Sequence, residues 1–278
     1  MTTSPHDAGR DPAAGAPVAP RATEPSWVTV SGLTKSFGDV TALGGIDLDI
    51  AHNEFVSVIG PSGCGKSTLL SIIAGLDEPT DGTVLIEGEE VIGPGRDRGV
   101  VFQQSTLLPW LTAQRNVEFA LRPEGLPASE VRSRAREYLQ LVGLEGFEDY
   151  YPAQLSGGMQ QRVSLARSLS YQPEILLMDE PFGALDALTR RVMQGLLTEI
   201  WEKHKLTVLL VTHDIDEAVL TSDRVIAMGA RPGRIIEEMH IDIPRPRTPD
   251  MFARKDFQEY SAHLLSLITG AQSGTRHM

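Results

Sequence analysis

With one cysteine in 278 residues, the chain has no means of building a disulfide framework. A reducing compartment is the expectation, and Cys64 reads first as a small side chain filling space. Cations are also scarce: 25 Lys and Arg stand against 37 Asp and Glu, a formal net charge of −12. Nucleic-acid phosphates want a basic face, so this balance argues against a nucleic-acid partner. No run reaches the roughly 18 apolar residues that a membrane span needs. Residues 1–25 are rich in Ala, Pro, Gly and Thr without an apolar signal core, and a disordered tail is expected there. Internal repeats are absent. The length allows one or two domains with a large core, and the chain is expected to be soluble and cytoplasmic.

What is there is concentrated in one stretch. Gly60-Pro61-Ser62-Gly63-Cys64-Gly65-Lys66-Ser67-Thr68 fits G-x-x-x-x-G-K-[ST] without a gap. The apolar run at 55–59 in front reads as a buried strand, and the run at 69–74 behind reads as a helix. Glycines let the backbone curl so that successive N–H groups point inward at an anion. The new helix adds its positive dipole end to the same spot. Lys66 supplies a compact charge for the β- and γ-phosphates, and the Ser67 hydroxyl is placed to ligate Mg²⁺. The chain is therefore expected to bind a nucleoside triphosphate.

Strict alternation at 46–50, and the short runs at 28–30, 83–86 and 99–102, predict strands of one mixed sheet around this loop. From 104 to 171 the texture turns helical. Ser129 is expected to cap a helix carrying Val131, Ala135, Tyr138, Leu139 and Val142 on one face, stopped by Gly143. Runs at 175–178 and 207–211 are too uniformly apolar for surface strands and suit a parallel sheet covered on both faces. Between them a helix from about Leu188 to Lys205 is expected to turn Val192, Leu196, Leu197 and Ile200 inward, and Asp214 starts another. Residues 225–228 and 235–236 read as a hairpin. The resulting division is a tail at 1–25, a nucleotide-binding core at 26–103 and 172–243, a helical insert at 104–171, and a C-terminal extension at 244–278.

In open parallel sheets ligands collect beyond the carboxyl ends of the strands. Three buried runs deliver polar residues there: Gln103, the pair Asp179-Glu180, and His213. Asp179 is best placed to hold Mg²⁺ through water. Glu180, one residue on, points elsewhere and can act as general base on the attacking water. Gln103 can complete the metal shell, and His213 can hydrogen-bond the γ-phosphate and orient the water. Leu155-Ser156-Gly157-Gly158-Met159-Gln160-Gln161-Arg162 is a second sharp signal. Ser156 caps a helix with an apolar face through Met159, Val163, Ala166 and Leu169, which makes a second helix N-terminus suited to phosphate.

Taken in order, residues 60–68, Gln103, 155–162, 175–180, Ala184-Leu185-Asp186 and His213 resemble the Walker A, Q-loop, signature, Walker B, D-loop and H-loop of an ATP-binding-cassette ATPase. The resemblance implies a RecA-like α/β phosphate-loop core with an antiparallel β subdomain and an inserted α-helical subdomain. It also implies a head-to-tail dimer in which ATP is sandwiched between Lys66 of one copy and Ser156, Gly157 and Gly158 of the other. Phe37 matches the aromatic that stacks on adenine, where many relatives have tyrosine, and Ala42 lies beside the ribose. Asp186 is placed to reach the neighbouring site.

In that family the region from Gln103 to Leu111 meets the coupling helix of a membrane permease, a helix-in-groove contact. For Leu107-Leu108-Pro109-Trp110-Leu111 a buried minor core is the plainer alternative. Leu108-Pro109-Trp110, the tract 230–234 and Pro244-Arg245-Pro246-Arg247 resemble the importer branch for nitrate, sulfonates and taurine. The implied setting is the cytoplasmic face of a membrane, with a permease as partner and a solute-binding protein acting indirectly. An exporter or lipid-transport ATPase shares every catalytic motif. A soluble cassette of DNA repair or translation would want a second cassette, a long insert or a basic surface.

Overall fold

The computed structural model describes residues 26–273. The expected tail at 1–25 lies outside them. Two long strands, β1 (Ser26–Phe37) and β2 (Val40–Ala51), pair antiparallel, with Val28 opposite Ile50 and Val30 opposite Leu48. After β3 (Phe55–Ile59) and α1 (Lys66–Ile73), β4 (Asp81–Ile86) pairs with the other side of β1, and the short β5 (Glu89–Glu90) finishes a four-stranded sheet. These strands alternate because only one face is covered. They do not join the sheet that carries the phosphate loop, as the sequence reading had them do.

A second sheet runs in the order β10-β9-β3-β8-β7-β6. Its members are β6 (Arg98–Val101), β7 (Ile175–Asp179), β8 (Thr207–Val211), β9 (Arg224–Gly229) and β10 (Arg234–His240), together with β3. All neighbours are parallel except β9 and β10, which form the expected hairpin. Continuous apolar strands here serve two cores by simple alternation. Val56, Val58, Leu177 and Leu209 pack toward α1 and the antiparallel sheet. Leu176, Met178, Val208 and Leu210 pack toward helices on the opposite face.

Those helices are α2 (Ala113–Leu121), α3 (Ala128–Leu141), α4 (Gly157–Leu169) and α5 (Ala187–His204). In α3, Ala135, Tyr138, Leu139 and the following Val142 are buried as expected. Ser129 is not its cap: the helix starts one residue earlier, with Pro127 at the cap position. Proline's fixed φ sets the chain for helix entry there without a side-chain bond. In α5 the inward face is Met193, Leu197 and Ile200, while Val192 is 48% exposed. The helical period places positions 193, 197 and 200 on one stripe, so the reading that turned Val192 inward is wrong by one residue.

A third core joins α6 (Ile215–Thr221) to the C-terminal helix α7 (Lys255–Ser273). Phe257 and Leu264 are buried against Val219, Leu220, Val225 and Ala227. Each such side chain is worth about 2 kcal/mol of hydrophobic burial. Among the described residues no helix is long and apolar enough to cross a membrane.

Candidate functional site

The loop at 60–65 leaves the end of β3 and feeds α1, whose N-cap is Gly65 at φ 94°. A side chain there would be strained, and its Cβ would fall 2.5 Å from Leu43 Cδ2 and 3.0 Å from the Ala42 carbonyl oxygen. That close approach also puts Ala42 against the loop. No side chain caps α1, so its first N–H groups have no capping acceptor and are available to an anion. Lys66 is buried and donates from Nζ to the carbonyls of Gly60 at 2.9 Å and Pro61 at 3.3 Å. Its charge is thus held inside the curl of the loop. Ser62 and Gly63 are exposed, whereas Pro61 and Cys64 are buried. Burial pushes the Cys64 thiol up, which keeps it protonated and suits a packing role.

Beyond the strand ends the predicted polar residues meet in pairs. Ser67 Oγ donates to Asp179 Oδ1 at 3.0 Å. Burial pushes the Asp179 carboxyl up; the Ser67 bond opposes that rise and the adjacent Glu180 adds to it. A hydroxyl, a carboxylate and an amide oxygen such as that of Gln103 are hard donors of the kind Mg²⁺ takes. Among the described residues no group of three or more His, Cys, Asp or Glu could hold a metal alone. Magnesium bound by few protein ligands, with phosphates and water completing its shell, fits that set.

Glu180 does point elsewhere. Its backbone is left-handed at φ 44°, and its N–H donates to the Val211 carbonyl at 2.8 Å. A non-glycine residue is rarely held there, and the two neighbours have separate partners, Ser67 for Asp179 and His213 with Gln103 for Glu180. His213 Nδ1 lies 3.1 Å from Glu180 Oε2, and Gln103 Nε2 lies 3.5 Å from the same oxygen. The residues that follow β6 and β8, the strands on either side of β7, thereby aim one side chain each at the carboxylate that follows β7. Phe37 is 53% exposed at the end of β1, with Lys35 Nζ 4.9 Å from its ring centroid. At that exposure Phe37 is not a core residue.

Ser156 caps α4, accepting from Met159 N at 3.3 Å. Gly158 packs against the start of α5, where a Cβ would fall 2.5 Å from Thr189 Cγ2, but a Cβ on Gly157 would meet open space. Among the described residues the side-chain bonds of 156–162 run to 142, 152, 155 and the 102–105 stretch, and none to the phosphate loop. Gln161 Nε2, for one, donates to the Phe102 carbonyl at 2.9 Å, tying α4 to the strand end that carries Gln103. Asp186 caps α5, accepting from Leu188 N and Thr189 N, and its bonds to Thr189 hold its carboxyl below the usual range. Trp110 is 69% exposed, so it is no part of a buried minor core, whereas Leu107 packs inward.

Sequence reasoning passed over Arg190, Gln194, Thr212 and Glu217, which lie just behind this cluster. Asp214-x-x-Glu217 has the spacing of a capping box, and half of it forms, with Glu217 N donating to Asp214 Oδ1 at 3.1 Å. The Glu217 side chain instead turns into the interior.

The profile of the ABC transporter family matches residues 43–183. An uncharacterized ABC transporter ATP-binding protein of Methanocaldococcus jannaschii is 56% identical over 243 residues, covering 86% of this chain and 90% of that protein. The nitrate import ATP-binding protein NrtD of Synechocystis sp. is 46% identical over 242 residues, 85% of this chain and 91% of that protein. A dimeric ATP-binding cassette solved in a post-hydrolysis state with ADP and Pi superimposes with TM-score 0.71 at 39% identity, covering 78% of this chain and all of that one. The chain belongs to the ABC transporter family, as one of its ATP-hydrolysing cassettes.

Proposed function

We propose that this chain energises an importer for a small anionic solute of the nitrate, sulfonate or taurine type, working as a head-to-tail dimer on the cytoplasmic face of a membrane. The observation that carries the reading is Trp110: a large apolar side chain, 69% exposed, on the segment that follows Gln103. Its position suits a permease helix laid against the cassette beside the hydrolytic cluster. Similarity to a nitrate import protein over 85% of the chain supports the class of solute. A solute-binding protein would act through the permease.

Within the site, Phe37 stacks on adenine and Ala42 borders the ribose. The loop glycines Gly60, Gly63 and Gly65, with Pro61, Ser62, Cys64 and Thr68, wrap the phosphates, and Lys66 neutralises them. Ser67, Asp179 and Gln103 would hold Mg²⁺, which when bound neutralises charge on the β- and γ-phosphates. Glu180 takes a proton from the attacking water, and His213 steadies both Glu180 and the γ-phosphate. Ser156, Gly157 and Gly158 of a second copy close the site, with Asp186 reaching across. Open space at Gly157 supports this, because nothing in its own chain demands that the position stay bare.

The test is coexpression with candidate permease subunits. Trp110→Glu should abolish membrane association while ATP affinity stays at the parental value, and vesicles holding the parental complex should take up labelled nitrate or taurine with ATP. Unchanged membrane association of the variant, or solute moving outward, would overturn the reading.

A further inference from the structure

A buried polar group ties the turn that carries His213 to α5, and none of the roles above uses it. Glu217 on α6 is 4% exposed. One carboxyl oxygen accepts from Gln194 Nε2 of α5 at 3.0 Å, and the other accepts from the Thr212 hydroxyl. That hydroxyl in turn accepts the N–H of Asp214 at 3.0 Å. A second tie runs parallel: Arg190 Nη1 reaches Asp214 Oδ2 at 3.2 Å, and Arg190 Nη2 donates to the Leu185 carbonyl at 3.1 Å. The turn 212–214, with His213 at its centre, is therefore fastened at two points to α5, the helix that Asp186 caps.

Packing alone does not ask for a glutamate here. An apolar side chain would join α6 to α5 at least as well, because a buried carboxyl loses its hydration and recovers it only through well-aimed donors. What the glutamate adds is direction, since two hydrogen bonds fix where the turn sits relative to α5. Resting on the roles given above to His213 and Asp186, we infer that Glu217 is a positioning residue: through Thr212 and Gln194 it locks the His213 turn to α5. The ring then keeps its approach to Glu180, and a displacement of Asp186 is felt at His213.

Steady-state ATPase assays on the full chain with Mg²⁺ and ATP test this. Thr212→Val keeps the volume and removes the hydroxyl, and Glu217→Ala removes both bonds. Each should lower kcat by on the order of 10- to 100-fold with KM for ATP unchanged, the scale of a small misplacement near the reacting atoms. Glu217→Gln, which can still accept from Gln194 and donate to Thr212, should recover most of the rate. On a His213→Ala background Thr212→Val should cost nothing more, because its effect passes through the ring. Thr212→Val carries the test if Glu217→Ala does not fold. Parental kcat in Thr212→Val while His213→Ala is slow would overturn the positioning role alone. So would an equal loss from Thr212→Val on both backgrounds. Parental kcat in His213→Ala would overturn the underlying reading of His213 and the inference with it.

Discussion

His213 Nδ1 approaches Glu180 at the same oxygen, Oε2, that Gln103 Nε2 approaches, at 3.1 and 3.5 Å. Two side chains thus fix one carboxylate oxygen and leave Oε1 for a water. That arrangement suits a general base whose direction matters as much as its basicity. Glu180→Gln should slow ATP hydrolysis about 10²- to 10⁴-fold, the usual worth of such a base, with ATP affinity retained. Single-turnover hydrolysis beside equilibrium nucleotide binding checks this, and retained turnover would remove Glu180 from the role.

Phe37 is half exposed at the end of β1, with Lys35 over its ring. Phe37→Ala should weaken ATP binding about 5- to 100-fold, the scale of a lost base–aromatic stack. Inorganic triphosphate, which has no base, should bind both forms equally. Calorimetric titration with the two ligands separates stacking from a general loosening of the loop.

Arg247 is a buried cation held by backbone oxygens. It donates to the carbonyls of Ile243, Val219, Ser222 and Ile241, and burial pulls its pKa down to about 10. Two of these carbonyls lie at the end of α6, where cations and unpaired carbonyls suit one another. Arg247→Leu should cost about 3 kcal/mol of stability, because several buried acceptors lose their donor together. Denaturant unfolding measures it, and a change below about 0.5 kcal/mol, the size of an ordinary surface substitution, would contradict the account.

Burial pushes Glu217 up; bonds from Thr212 and Gln194 and the charge of Arg190 oppose this, and Asp214 adds to it. A carboxyl raised in the folded state contributes most stability below its unfolded value and loses it as pH climbs through the folded one. Glu217→Gln does not titrate. Its stability relative to the parent should therefore be flat in acid and should rise with pH from the ordinary glutamate range upward. Unfolding free energies of the two forms across pH give the slope, and a difference independent of pH would contradict it.

Much of the site was legible because its signals are local. The phosphate loop is one contiguous string, and Gln103, Asp179 and His213 each stand where an apolar run stops, so the sheet carries them to a common edge. Readings that depended on distant packing fared less well. Alternation tells which face of a strand is covered and not by what, so 28–30 and 83–86 read as members of the phosphate-loop sheet although they lie in the other one. Val192 and Met193 are both apolar neighbours, and only the phase of α5 against the sheet decides which turns inward. Glu217 and Arg247 look like ordinary surface charges in one dimension. Their partners, Gln194 and a set of backbone carbonyls, become visible only when α5, α6 and the C-terminal segment are packed together.

If two copies complete each site, the mass of Glu180→Gln in solution must change with nucleotide. By light scattering the protein should be a monomer without nucleotide and a dimer with Mg²⁺ and ATP. Adding Gly157→Leu, which meets open space within the chain, should leave the melting temperature unchanged and keep the protein monomeric with ATP bound. A Glu180→Gln monomer saturated with ATP, or a Gly157→Leu form that still pairs, would contradict it.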